Sequence, residues 1–415
     1  MSTPDALFCE DAERIVDELH RLRRDEASLA ARKADLIDRL RRANVAHEEL
    51  IVVGVDRADE RADLVERSTR AQVACALRLA ERTAGRLIDE ARVLASDLPA
   101  TSAALTSGEL SWAHARAIIE EAESLPPEAV GAFETAVLGG RLDIPAGRFA
   151  ACCRRIREHV HPDSIERRAT DAAASRCVTV QPARDGMAWL MTYLPVMQAE
   201  LAHMILTGVA MDEQAAGDPR TRDQLRADAL VDALLRSARP ASVADAADAA
   251  ASLPGVKVNV SITVPALTLL GHSDEPAVLD GYGPIPLDTA MVLAAQATSW
   301  RRILTHPVSG VVLVHDRQTY RPPAALRAWL ADRDGTCRFP GCGRRASGCD
   351  VDHCVAWEDG GCTDHDNLAH LCRRHHRLKH HTKWWARFED DLLVWTGPTG
   401  HEYATAGRDD RAPPA

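Results

Sequence analysis

The chain has 415 residues, of which 46% are hydrophobic and 27% charged, and a formal net charge of −11. That length exceeds the ~100 to 200 residues of one typical domain, and the composition excludes wholesale disorder. No apolar stretch approaches the ~20 residues that span a bilayer, and Asp5, Glu10 and Asp11 stand where a secretory signal would be basic and then apolar, so a cytoplasmic protein with no membrane partner is expected.

Residues 7 to 50 are predicted helical. Ile15, Leu22, Leu29 and Leu36 recur every seven positions, with Leu19 and Leu40 on the adjoining stripe. Glu26 and Lys33 occupy seam positions that a continuous coiled coil would fill with apolar residues. An amphipathic helix packing onto its own domain is therefore the preferred reading, and a homodimer paired through the N-terminal helices is the alternative. Ala-rich helices follow at 61–98, 111–123, 127–138 and 145–160, broken by Pro, Gly or Ser/Thr caps. Residues 1–170 thus read as an all-α domain. His114 has no second ligand type nearby and reads as a satisfied core or surface group. Cys9, Cys75, Cys152, Cys153 and Cys177 are scattered and read as buried apolar groups or idle thiols.

Around Cys177 the period changes to two. Val178 and Val180 alternate with polar neighbours, Asp185-Gly186 supplies a hairpin turn, and Trp189 to Leu194 continues as a strand. Helices are expected at 197–211 and 222–237, a linker at 239–252, and strands at 256–264 and 311–314. Gly281-Tyr282-Gly283-Pro284 precedes no Lys-Ser/Thr and is read as a turn, not a phosphate loop. Residues 171–325 form an α+β region. The whole is a multidomain chain, with a C-terminal metal-stabilised domain at 326–396 and a flexible tail at 397–415.

That C-terminal domain leans positive. Residues 337–387 hold nine Lys or Arg against six Asp or Glu, whereas the flanking parts are acidic. Six of the 11 cysteines (Cys337, Cys342, Cys349, Cys354, Cys362, Cys372) fall within 36 residues, which suits metal binding better than disulfides in a reducing compartment. Cys337 and Cys342, in a knuckle turned by Phe339-Pro340-Gly341, and Cys372 with His375, at a helix start, are two half-sites for a tetrahedral structural zinc. The fourth ligand stays open, because Cys349, Cys354 and Cys362 compete for it. Between the half-sites lies the alternating strand Asp350-Val351-Asp352-His353. His376 and His380 are four apart on a helix, so both imidazoles can approach one divalent ion, and Asp352 can complete that site from the strand. His353 points to the strand's opposite side, toward water or substrate.

Asp352-His353, Asn367 and His376, with the flanking Cys pairs, resemble the His-Asn-His endonuclease motif, whose fold is a ββα-metal finger. The resemblance covers about 60 residues, 333–395. It implies His353 as the base that activates water, Asp352 and His376 as metal ligands, Asn367 as an orienting or ligating group, and His380 as a further ligand found in some members. Many members carry two cysteines where this chain has Cys372 and His375. The long helical region, the hairpin near Asp185-Gly186, the stretch Arg222 to Leu230 and the Arg338-Phe339-Pro340-Gly341-Cys342 knuckle resemble the actinobacterial 13E12 repeat family, which places a domain of unknown function before a C-terminal His-Asn-His domain.

The expectation is therefore a metal-dependent DNA endonuclease. An imidazole titrating near neutral pH suits proton abstraction from water, and a divalent ion (Mg, Mn, Ni or Zn) suits neutralisation of a phosphodiester. Arg344, Arg345, Arg373, Arg374, Arg377, Lys379 and Lys383 are candidate phosphate contacts on DNA. Trp384 and Trp385 are expected to pack beneath the finger rather than stack on bases. A zinc-stabilised DNA-binding protein that does not cut is the alternative.

Overall fold

The computed structural model describes residues 4–161, 165–184, 187–237, 262–263, 268, 276–279, 283–295, 322–390 and 392–407. The Asp185-Gly186 turn, the expected 239–252 linker, the 311–314 strand, Gly281, Tyr282 and all of the 256–264 strand except Ile262 and Thr263 lie outside them. The architecture is mostly helical with small antiparallel sheets. No helix among the described residues is long and apolar enough to cross a membrane. Residues Met1–Asp163 and His306–Ala415 make one compact unit and Ser164–Thr305 a second.

The first unit begins with α1 (Pro4–Ala46), α2 (Ala58–Leu77), α3 (Glu81–Ser96), α4 (Pro99–Ser107), α5 (Trp112–Ala122), α6 (Pro127–Leu138) and α7 (Ala146–Val160). Leu94, Leu98, Leu105, Leu110, Ile118, Phe133 and Phe149 form its core. α1 does pack onto this core, but not through the heptad stripe: Ala27, Ala31, Ala34 and Ile37 are buried, whereas Ile15, Leu22, Leu29 and Leu36 are exposed. Alanines let helix axes approach closely, so the small-residue face won over the leucine face. The expected helix at 61–98 breaks at Arg78, which adopts a left-handed conformation (φ 54°). The Leu79 N–H donates to the Ala74 carbonyl (2.9 Å), closing the end of α2. α4, not foreseen, ends at Gly108 (φ 79°), where a Cβ would stand 2.8 Å from Arg24 of α1. His114 is satisfied at both nitrogens, by Ser111 Oγ (2.7 Å) and the Ile144 carbonyl (2.8 Å).

The second unit holds α8 (Ile165–Ala174), the hairpin β1 (Cys177–Pro182) and β2 (Ala188–Tyr193), α9 (Val196–Ala215), α10 (Arg222–Ser237), a sheet of β3 (Ile262–Thr263), β4 (Ala277–Leu279) and β5 (Gly283–Ile285), and α11 (Leu287–Ala295). Gly283 and Pro284, read as part of a turn, belong to β5. The order β3-β4-β5 puts that strand at an edge, where proline's missing N–H costs no ladder bond.

The first unit resumes with α12 (Ala324–Asp334), the cysteine knuckle, β6 (Asp350–His353) paired antiparallel with β7 (Leu368–Leu371), and α13 (Arg373–His381). A meander of β8 (Trp385–Glu389), β9 (Leu392–Thr396) and β10 (Glu402–Thr405) closes it. The tail expected from 397 is thus ordered through 405. β10 covers the edge of β9, and the Thr405 carbonyl accepts from Arg338 (2.7 Å).

This finger has little apolar core of its own, as small metal domains generally do. Phe339, Trp384 and Trp395 meet edge to face at centroid distances of 5.3 and 5.0 Å, and Ala71 and Cys75 of α2 complete the cluster. Trp384 Nε1 donates to Ser68 Oγ (3.1 Å), the Lys383 N–H to the Ile51 carbonyl (2.9 Å), and the Val53 N–H to the His381 carbonyl (2.9 Å). The finger and the helical region are physically one body.

Asp334, at the end of α12, is fully buried and binds Arg333 (2.8 Å), Arg338 (3.0 Å) and both the backbone N–H and Nδ1 of His370 (2.9 Å each). Burial alone would raise its pKa, but the His370 and Arg333 bonds outweigh it and hold the carboxyl at about 2. A depressed carboxylate stabilises fully above the unfolded value of ~3.9 and progressively less as pH falls through the folded value. Asp334→Asn should therefore cost about 2 kcal/mol at pH 7 and little near pH 2. Urea melts followed by tryptophan fluorescence check this; a loss that does not shrink with acid would remove Asp334 as the hub.

Candidate functional site

Two ligand clusters sit on opposite flanks of α13. In the first, Cys337 and Cys342 from the knuckle meet Cys372 and His375 from the helix start, with one ligand atom of each lying within 4.8 Å of the others. His375 Nδ1 is 3.3 Å from both Cys337 Sγ and Cys372 Sγ. Tetrahedral zinc with thiolate and imidazole ligands has S···N edges of ~3.5 Å, so this Cys3His group can bind a metal such as zinc. Of the competing thiols, Cys349 interacts with Cys337, which lowers its pKa, and points to the Arg345 carbonyl (3.2 Å) but is not one of the four clustered ligands, and Cys362 is exposed. Burial raises the Cys354 thiol to about 12.

The other edge of His375 faces the helical region. Glu81, the first residue of α3, stands 3.2 Å from Nε2 and 3.4 Å from Arg374. Burial works against the imidazolium, yet the Cys342 and Cys372 sulfurs and Glu81 raise His375 to about 11. A carboxylate behind a metal-ligating histidine fixes its ring and raises its basicity. Sequence reasoning missed Glu81 because it lies 294 positions before its partner and carries no local mark.

The second cluster is Asp352, His376 and His380. Asp352 Oδ1 lies 3.4 Å from His376 Nε2 and 3.1 Å from His380 Nε2. Ligand edges of ~3.0 to 3.4 Å are those of an octahedral or tetrahedral ion with bonds near 2.1 Å, so the three residues fit one divalent cation. The strand and the helix converge because β6 ends beside α13 and a four-residue helical step stacks the two imidazoles, whose centroids are 4.5 Å apart. Burial would raise the Asp352 pKa, but His376, His380 and Lys379 hold it well below the usual carboxylate range. The Asp352 bond in turn raises His376.

Lys379 is the main correction among the basic residues. Its side chain is 9% exposed, and its ammonium donates to Asp352 Oδ2 (2.8 Å) and to the His353 carbonyl. It therefore braces a ligand rather than reaching for a phosphate, because the i+3 step from His376 turns it onto the same strand end. Arg374 is drawn to Glu81. Arg344, Arg345, Arg373 and Lys383 are exposed, and Arg377 is half-buried. Trp384 is buried, whereas Trp385 is half-exposed beneath the Arg387 guanidinium (5.1 Å).

His353 faces away from the cation cluster, as strand alternation requires. Its Nε2 is hydrogen-bonded to Thr363 Oγ1 (3.0 Å), its ring is edge-on to Trp357 (6.1 Å), and the residue is 7% exposed. Burial depresses its pKa, which favours the neutral imidazole. Asn367 is wholly occupied by the β6–β7 loop: Oδ1 accepts from the Val355 N–H (2.8 Å), and Nδ2 donates to the Val355 (3.1 Å) and Cys362 (2.9 Å) carbonyls. These bonds latch the loop to the side chain. Gly361 makes the latch possible, since a Cβ there would collide with the Val355 carbonyl and the Asn367 amide.

Comparison with known proteins adds a family. Residues 19–334 match the model of a domain of unknown function, DUF222. The chain belongs to the DUF222 family. Uncharacterized protein Rv3776 of Mycobacterium tuberculosis strain H37Rv is 37% identical over 133 residues, 31% of this chain and 24% of that one. Uncharacterized protein Rv2100 of the same strain is 36% identical over 138 residues, 32% and 24% of the respective chains. The chain thus spans about a quarter of the length of the curated relatives it matches. No solved structure matches it.

In this DUF222 protein, Cys372→Ser should remove one equivalent of bound zinc per chain, read by elemental analysis of the purified protein. Unchanged zinc content would exclude Cys372 as a ligand. Glu81→Gln should weaken zinc by about 10- to 100-fold in chelator competition; equal affinity would leave Glu81 as a surface contact.

Proposed function

We propose that the protein is a cytoplasmic, metal-dependent endonuclease that hydrolyses DNA phosphodiesters at a His-Asn-His site on a zinc-stabilised ββα-metal finger. The observation that carries this reading is the convergence of Asp352, His376 and His380, with the Asp352 Oδ1 oxygen aimed at both imidazoles. Lys379 occupies Oδ2, so the carboxylate presents one oxygen inward. Chemically, a divalent ion held by these three groups supplies charge neutralisation at the phosphodiester.

The rest is the work of the chain's own side chains. His353, whose neutral form burial favours, accepts a proton from a water molecule as the water oxygen attacks phosphorus; the P–O bond to the leaving sugar oxygen breaks, and that oxygen takes a proton from solvent. Thr363 fixes the plane of that ring, and Asn367 fixes the loop that carries Thr363. Arg344, Arg345, Arg373 and Lys383 offer exposed cations to the DNA backbone and read no bases. Cys337, Cys342, Cys372 and His375 would hold a zinc ion that ties the knuckle to the start of α13, and so would keep His376 and His380 in line with β6.

One observation favours the rival reading of a DNA-binding module that does not cut: His353 is only 7% exposed. Plasmid nicking in Mg or Mn separates the two. Wild type should cut, Asp352→Asn should not, and His353→Ala should be slower by about 10²- to 10⁴-fold. Cleavage by His353→Ala at the wild-type rate would remove it as the base. A wild type that holds its metals and binds DNA without nicking in any divalent ion would establish the binding module instead.

A further inference from the structure

We propose that α1 pairs with α1 of a second copy of this chain as an antiparallel coiled coil. The 43-residue helix is ~64 Å long, and its own unit buries the face bearing Ala27, Ala31, Ala34, Ile37, Asp38 and Asn44, with Leu40 packed part-buried beside it. On the opposite face Ile15 (59%), Leu19 (58%), Leu22 (49%), Leu29 (64%) and Leu36 (51%) are exposed, and none of residues 11–26 is buried among the described residues. Single exposed leucines are ordinary, but Ile15, Leu22, Leu29 and Leu36 recur at seven-residue steps, with Leu19 between the first two, and together form a coiled-coil seam. Most helical stability in proteins comes from packing an amphipathic face, and residues 11–26 bury no such face in their own unit.

The charged residues choose the partner and its direction. One seam position carries Leu19, Glu26, Lys33 and Leu40, the other Ile15, Leu22, Leu29 and Leu36. Parallel pairing would stack Glu26 on Glu26 and Lys33 on Lys33 inside the seam, a like-charge clash in two layers. Antiparallel pairing centred between Ala27 and Ser28 sets Leu19 against the partner's Leu36, Glu26 against the partner's Leu29 and Lys33 against the partner's Leu22, with Leu40, which also packs on its own core, closing the seam beside the partner's Ile15. The residues flanking the seam then meet as opposite charges: Glu18 with the partner's Arg39 and Asp25 with the partner's Arg32, each twice by symmetry. All four side chains are exposed; Glu18 and Arg39 now make only short-range pairs, with Arg21 (2.7 Å) and Asp35 (3.7 Å). The self-complementarity points to a second copy of this chain.

Sedimentation of the full chain tests this. Wild type should be a dimer at tens of micromolar, and the double variant Leu22→Glu, Leu29→Glu a monomer whose melting temperature matches that of wild type diluted until it is monomeric, because both positions are exposed in the single chain. Glu18→Arg should weaken the dimer by about tenfold, and adding Arg39→Glu should restore it. In a parallel pair Glu18 would face the partner's Arg23, and Arg39→Glu would restore nothing. A monomeric wild type, a double variant that still dimerises, or a charge swap without recovery would each overturn the proposal.

Discussion

One imidazole joins three parts of this molecule. His375 approaches Cys337 and Cys372 with Nδ1, meets Glu81 of α3 with Nε2, and stacks flat on Phe339 of the aromatic core (4.1 Å, 14°). A metal bound by the Cys3His group would therefore do more than close the finger: it would fix the ring that ties the finger to the helical region and couple metal binding to core packing and to that contact.

That coupling explains why the family boundary and the physical boundary differ. The DUF222 match stops at residue 334, yet Asp334 anchors His370 and Arg338 beyond it, and Ser68, Ala71, Cys75 and Glu81 well before it are part of the finger's support. A finger of this size buries too little apolar surface to stand on its own core, and α2 supplies the shortfall. The helical region thus supplies part of the core on which the segment with the Cys3His group packs.

The candidate site itself is organised by one short strand. Successive residues of β6 face opposite ways, so Asp352 turns to the imidazoles of α13 and His353 to the β6–β7 loop. Separating a cation-binding carboxylate from a neighbouring histidine by a single peptide keeps the two from sharing an ion. Lys379 and Asn367 then immobilise the two sides, one by bracing the carboxylate and the other by latching the loop.

The sequence by itself determined what depends on short spacing. The cysteine knuckle, the His376–His380 step, the alternation at Asp352-His353 and the helices at 127–138 and 222–237 all follow from periodicity within a few residues. Only the tertiary structure decided the rest, because it depends on partners far away in the chain. The break at Arg78 lies among good helix formers. Lys379 looks like any exposed cation until β6 is beside it. Glu81 and Ser68 carry no signal of the histidine and tryptophan they meet. The leucines of α1 have the stronger apolar pattern, but close packing selected the alanines, and a pattern of hydrophobicity cannot tell a face that fits its neighbour from one that waits for another chain.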